Sequence, residues 1–269
     1  MPRLVTAFSN ETVKRLRSLR DKKSRREQGL FLAEGLRIIT EARDSGRLPE
    51  ILMFSAEGAK HPLAAGIIEA TEAAGGEAIE TTADILTKTS GKDNAQMLIA
   101  AYRQPAVSLA QIDRSSAPIW FVAQALRDPG NIGTILRTGD AVGAGGLILI
   151  DDSADPYSVE AVRASMGAIF TQQVVKARWS DFLEWLRSGA GQLVGTSLKA
   201  SDDYLAARYE RPCFLLIGNE QQGLPANYEA ACDLLVKIPM AGRADSLNAA
   251  MAAAVMAFQV KASWRFGTG

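Results

Sequence analysis

The chain has 269 residues, 47% of them hydrophobic and 22% charged, the balance of a folded globular protein with room for one large domain or two smaller ones, which excludes disordered and collagen-like classes. Thirty Lys and Arg offset thirty Asp and Glu, so a polyanionic partner has to be met by a local patch and not by bulk charge. The single histidine, His61, lies between Lys60 and Pro62 in a loop, which excludes His-based triads and His-rich metal sites. Cys213 and Cys232 have no zinc-type neighbours and read as buried thiols of a reducing compartment.

In chain order, Met1-Pro2-Arg3-Leu4-Val5-Thr6 lacks the apolar run of a signal peptide, and the most apolar stretch, 249–260, is too short to span a bilayer. A cytoplasmic location with no membrane partner is expected. Residues 14–26 carry Leu16 and Leu19 at helical spacing from Val13, with basic residues elsewhere, which predicts one amphipathic helix with a basic outer face. Lys22, Lys23, Arg25 and Arg26 then form either a solvated face or a strip that neutralises RNA phosphates. Strands are predicted at 30–33, 51–54, 77–80 and 97–102, and helices at 35–44, 62–74 and 83–89. This is a small α/β module, taken as a domain over 1–104.

A polar connection, 105–118, serves as a linker. Beyond it the alternation is regular. Strands are predicted at 119–123, 147–150, 173–176, 193–195, 214–217 and 235–238, and helices at 132–142, 158–168, 180–188, 225–232 and 247–263. Short apolar runs separated by helices predict an α/β domain over 119–269 with a parallel sheet covered on both faces.

Three loops at the carboxyl ends of these strands carry chemistry-bearing residues, in the position where open α/β sheets bind ligands. The first, Arg127-Asp128-Pro129-Gly130-Asn131-Ile132-Gly133, opens a helix carrying Arg137, and a helix amino terminus attracts anions. Alone it also reads as a tight βα turn with a surface arginine. The second, Gly218-Asn219-Glu220-Gln221-Gln222-Gly223, places a carboxylate before a helix started by Pro225. The third runs from Ile238-Pro239-Met240 to Ser246-Leu247-Asn248 and enters an Ala/Met/Val-rich helix that Ser246 or Asn248 can cap. Neither G-x-G-x-x-G nor G-x-x-x-x-G-K-[ST] occurs, which disfavours a nucleotide-dependent oxidoreductase on a doubly wound sheet.

Taken together, Asn131-x-Gly133-x-x-x-Arg137, Gly218-x-Glu220-x-x-Gly223, and Ile238-Pro239-Met240 with Ser246-Leu247-Asn248 closely resemble the three motifs of the SpoU (TrmH-like) RNA ribose 2′-O-methyltransferases. The first domain, with Phe31-Leu32-Ala33-Glu34-Gly35 after the basic helix, is similar to the substrate-binding module of that family. It departs from the family's Gln-Gly before the last strand, reading Asn94-Ala95-Gln96-Met97. The resemblance implies a carboxyl-terminal trefoil knot, S-adenosyl-L-methionine as cofactor, no metal, and a homodimer in which the first loop of one subunit completes the site of the other. It implies cofactor contacts from Thr196, Gly218, Ile238, Met240 and Leu247, and catalytic roles for Arg137, Asn131, Glu220, Ser246 and Asn248. The substrate implied is RNA, ribosomal before transfer RNA. An RNA-binding protein of the same fold that has lost transfer is the alternative of a different class. A guanidinium is effectively always protonated, so Arg137 reads as a phosphate grip and charge stabiliser, against the family assignment of a proton acceptor.

Overall fold

The structure, a computed structural model, describes residues 2–91 and 96–266; Asn94 and Ala95, where the first domain departs from its family pattern, lie outside them. It divides into two compact units, one running to Pro105 and including Asp155–Phe170, the other made of Ala106–Ala154 and the chain from Thr171 onward.

In the first unit β1 (Arg3–Val5), α1 (Glu11–Ser18), α2 (Lys22–Gln28), β2 (Leu30–Glu34), α3 (Leu36–Asp44), β3 (Ile51–Ser55), α4 (Ala56–Ala59), α5 (Pro62–Ala73), β4 (Glu77–Thr81), α6 (Ala83–Ser90) and β5 (Leu98–Arg103) follow in order. The sheet runs β1-β4-β3-β5-β2, parallel across β1, β4 and β3 and antiparallel on either side of β5. Val13, Leu16 and Leu19 are fully buried against Leu32, Met53 and Ile79, as their helical spacing predicts.

The single basic helix expected over 14–26 is two helices. The first ends at Ser18, and Asp21 caps the second, its carboxylate accepting from the Ser24 N–H at 2.9 Å. An aspartate stabilises a helix start far better than a helix interior. The break also corrects the assignment of Arg25 to an RNA-contacting strip. Its side chain is only 4% exposed, paired with Asp155 at 2.7 Å and donating to the carbonyls of Leu19 and Arg20. Lys22, Lys23 and Arg26 are exposed, and Lys14, Arg17 and Arg20 extend the basic surface around a shallow basin with Ser18 and Asp21.

The second unit holds β6 (Ile119–Gln124), α7 (Pro129–Val142) and β7 (Gly146–Ile150). Next in the chain, α8 (Val159–Ser165) belongs to the first unit. The second unit resumes with β8 (Gln173–Ala177), α9 (Trp179–Arg187), β9 (Gln192–Thr196), β10 (Asp202–Asp203), β11 (Cys213–Ile217), α10 (Ala226–Glu229), β12 (Leu234–Lys237) and α11 (Ala249–Phe266). All seven strands are parallel, in the order β10-β12-β9-β11-β6-β7-β8. Central β11 is buried throughout, and α11 packs on it and on α7 through Ala253, Met256, Ala257 and Val260.

Residues 155–170, expected as part of the 119–269 domain, pack with the first unit instead. The Phe31 ring lies 5.0 Å from that of Tyr157 and 5.7 Å from that of Phe170, and Val159 joins the apolar core. The helix predicted over 158–168 stops at Ser165, because Met166 and Gly167 take φ of 52° and 102°. A Cβ on Gly167 would stand 2.7 Å from Cβ of Glu41, so glycine is needed for both conformation and space.

Candidate active site

From β6 the chain runs to β7 and β8 on one side of the sheet, then returns to β9, β11 and β12 on the other. The loops after neighbouring β6 and β11 are thus where the winding reverses, and such a point is where open sheets place ligands. Asn219 ties the two loops, its Nδ2 donating to the carbonyl of Ala125 at 2.8 Å while its Oδ1 accepts from the N–H groups of Gln221 and Gln222. The β11 loop closes on itself through the Gly223 N–H and the Asn219 carbonyl, 2.9 Å apart. Gly218 admits no side chain there, since a Cβ would fall 2.5 Å from the carbonyl carbon of Gly223.

Asn131, buried in the first turn of α7, sends Nδ2 to Glu220 Oε1 at 3.0 Å and receives Asn248 Nδ2 on its Oδ1 at 2.9 Å. Glu220 also accepts from the backbone N–H groups of Arg127 and Asp128, at 3.3 and 3.4 Å. Partial burial works against its ionisation, but the bonds from Asn131 and the backbone outweigh that cost and hold its carboxyl below the ordinary carboxylate range. Because an ionised carboxylate only accepts, it fixes the orientation of the Asn131 amide and through it that of Asn248. At its other end Asn248 caps α11, its Oδ1 accepting from Ala250 and Met251 N–H at 2.9 and 3.3 Å. One relay therefore joins all three motif loops.

Beside the relay lies a cleft of about 260 Å³. Thr196, Gly218, Ile238, Met240 and Leu247, the five residues expected to touch a cofactor, all line it, as do Glu220 and Ser246. Its walls pair the apolar side chains of Ile217, Leu224 and Ile238 with strand-end backbone and a few polar groups, the mix that small-molecule sites use. Arg137 stands apart, exposed on α7, outside the cleft lining and without an ion pair among the described residues. Lys22, Lys23 and Arg26 lie in the first unit. Sequence reasoning missed Asn219, visible only as a neighbour of Glu220, and Ser197 and Glu229, which also line the cleft. Glu229 sits on a helix where nothing in the local pattern marks it. Both cysteines are free, and burial pushes the Cys232 thiol up to about 12.

A family model described as the SpoU rRNA Methylase family matches residues 118–258, and one described as an MRM3-like substrate binding domain matches residues 10–100. The chain is 32% identical to a 23S rRNA (uridine(2479)-2'-O)-methyltransferase of Streptomyces viridochromogenes, over 90% of this chain and 85% of that protein. It is 28% identical to a 23S rRNA (guanosine(2553)-2'-O)-methyltransferase of Bacillus subtilis, over 96% and 98% of the two chains. Among solved structures, an AdoMet-bound rRNA methyltransferase from Sinorhizobium meliloti superposes with a TM-score of 0.90 at 36% identity, covering 99% of each chain.

Proposed function

The chain belongs to the SpoU rRNA methylase family, and from that membership we propose that it transfers a methyl group from S-adenosylmethionine to a ribose 2′-hydroxyl of RNA, ribosomal RNA before transfer RNA. The observation that carries the proposal is the Asn248–Asn131–Glu220 relay at the edge of the cleft. It is a polar network spanning three separate loops and centred on buried Asn131, with Glu220 half-buried and Asn248 at the surface, and a network whose buried member is fully bonded holds a site in one geometry. The preference for ribosomal RNA rests on relatives whose names give 23S rRNA as substrate and which match over most of both chains.

The cofactor, when bound, supplies an electrophilic methyl on a sulfonium leaving group. Thr196, Gly218, Ile238, Met240 and Leu247 are proposed to hold it, mainly through backbone groups at the strand ends and an apolar wall for the base. Asn131, Glu220, Ser246 and Asn248 set the loops that receive the ribose. Holding donor and hydroxyl in line contributes about 7–11 kcal/mol to such a reaction. Arg137 grips substrate phosphate with its planar guanidinium and stabilises the negative charge that develops on the ribose oxygen as the hydroxyl proton passes to water.

The exposure of Arg137 outside the cleft supports a homodimer in which it serves the partner's site. The exposed Met251 and Phe258 on α11 supply an apolar face for that contact. A trefoil knot accords with the strand order, in which β11 enters between the earlier β9 and β6 before β12 joins beyond β9. Among the described residues no helix is long and apolar enough to cross a membrane, and a cytoplasmic location accords with a ribosomal RNA substrate.

The test is to map 2′-O-methyl groups in RNA from cells lacking the gene. One ribosomal RNA site is expected to lose its methyl. Unchanged ribosomal and transfer RNA, with calorimetry detecting no affinity of the pure protein for S-adenosylmethionine, would falsify the proposal and leave an RNA-binding protein.

A further inference from the structure

The relay accounts for the end of the cleft at β6 and β11 and gives no role to the corner at the carboxyl end of β9, beyond β11 in the sheet. There Glu229 lines the cleft, and Ser197 Oγ donates to its Oε1 at 2.6 Å. The Lys199 N–H in turn donates to Ser197 Oγ at 3.2 Å, so the serine hydroxyl is engaged as both donor and acceptor. The turn that carries Glu229 is anchored as well, since neighbouring Tyr228 stacks on Trp179 with ring centroids 3.9 Å apart and donates its hydroxyl to Asp151. The carboxylate is thereby held in place, while its Oε2 has no partner among the described residues.

An acceptor-only oxygen in a cleft calls for a donor on the ligand. Lys199 lines the same corner, so a second cation would meet like charge, whereas neutral hydroxyls would not. This corner is also separated by β11 from the first-motif loop, which leaves it for the part of the ligand that does not react. We propose that Glu229, held by Ser197, binds the ribose diol of the cofactor's nucleoside. The proposal rests on the S-adenosylmethionine reading above.

Calorimetry of the full chain with S-adenosylhomocysteine and with its 2′,3′-dideoxyribose analogue tests it, in wild type and in Glu229→Gln. The variant keeps an oxygen for Ser197, and an unchanged melting temperature without ligand checks its fold. Loss of a hydrogen bond to a charged group corresponds to about a 10- to 100-fold weakening. That loss is expected for S-adenosylhomocysteine on Glu229→Gln, and for the dideoxy analogue on wild type, with little further loss when both changes are combined. Equal weakening of both ligands by the variant places its contact on the amino-acid end and overturns the proposal. So does wild type that binds the two ligands alike, a result that needs no variant. Wild type that binds neither ligand overturns the cofactor reading itself, a distinct failure.

Discussion

Asn248 uses both ends of one amide, the oxygen to start α11 and the nitrogen to hold Asn131. Asn248→Asp separates the two uses. Aspartate caps as well as asparagine but cannot donate, and turning the Asn131 amide to compensate would set its oxygen against Glu220. Stability is expected to drop by about 1–3 kcal/mol for the unsatisfied Asn131 acceptor, and methyl transfer, assayed well below the denaturation midpoint, to fall about 10- to 100-fold; equal activity would remove the relay from the mechanism. Glu220 gives a pH signature. Its carboxyl is easier to ionise in the folded chain than in the unfolded one, so its contribution to stability is present above the unfolded value and fades as pH falls through the folded one. The urea midpoints of wild type and Glu220→Gln are expected to differ most near neutrality and to converge as pH falls below the ordinary carboxylate range. For Arg137, Lys should retain part of the rate that Ala loses, and a loss as complete as with Ala would rule out simple charge stabilisation. The motif residues were legible as residue types at strand ends. Their bonds were not, because Asn131 and Asn248 are 117 positions apart and no local pattern links them.

At the scale of elements, the α1–α2 break separates basic residues that a single helix would have grouped. Replacing Lys22, Lys23 and Arg26 with Gln should weaken RNA binding and flatten its dependence on salt, by about 0.7–0.9 in logarithmic slope for each phosphate no longer neutralised, and leave cofactor affinity unchanged. If RNA affinity holds, the face is merely solvated. Arg25→Ala belongs to a different class. It takes the guanidinium away from Asp155 and from the carbonyls of Leu19 and Arg20, and breaking a buried pair from one side is expected to lower stability by about 3–5 kcal/mol in chemical denaturation. Hydrophobic periodicity located the longer strands, since fully buried parallel strands are short apolar runs bounded by polar turns. It passed over β1, α4 and β10, where two to four residues carry no period to read. It also merged α1 with α2, because the apolar spacing persists through Leu19 while the cap at Asp21 looks like one more charge.

At the scale of the whole molecule, the proposed dimer has a complementation test. Arg137→Ala and Asn248→Asp chains are each expected to retain about a tenth of wild-type activity or less alone. If Arg137 serves the partner's site, mixed dimers contain one intact site, and an equal mixture refolded together should recover about a quarter of wild-type activity. No recovery would place Arg137 in its own chain's site. Phe258→Glu should yield monomers in sedimentation. The placement of 155–170 with the first unit was beyond sequence reasoning, because a helix after β7 reads as the ordinary crossover of the sheet that follows. The strand order has a consequence for synthesis. Cys213 pairs with Ile119, so a chain emerging from the ribosome completes β6, β7, β8 and β9 before the strand that joins β6 to β9 exists. Until β11 arrives, one edge of β6 presents unpaired backbone and an apolar face, the conditions for association with the wrong strand. Sheets closed by such distant partners fold slowly, and nascent chains stalled before Cys213 should be the ones that chaperones hold and proteases find.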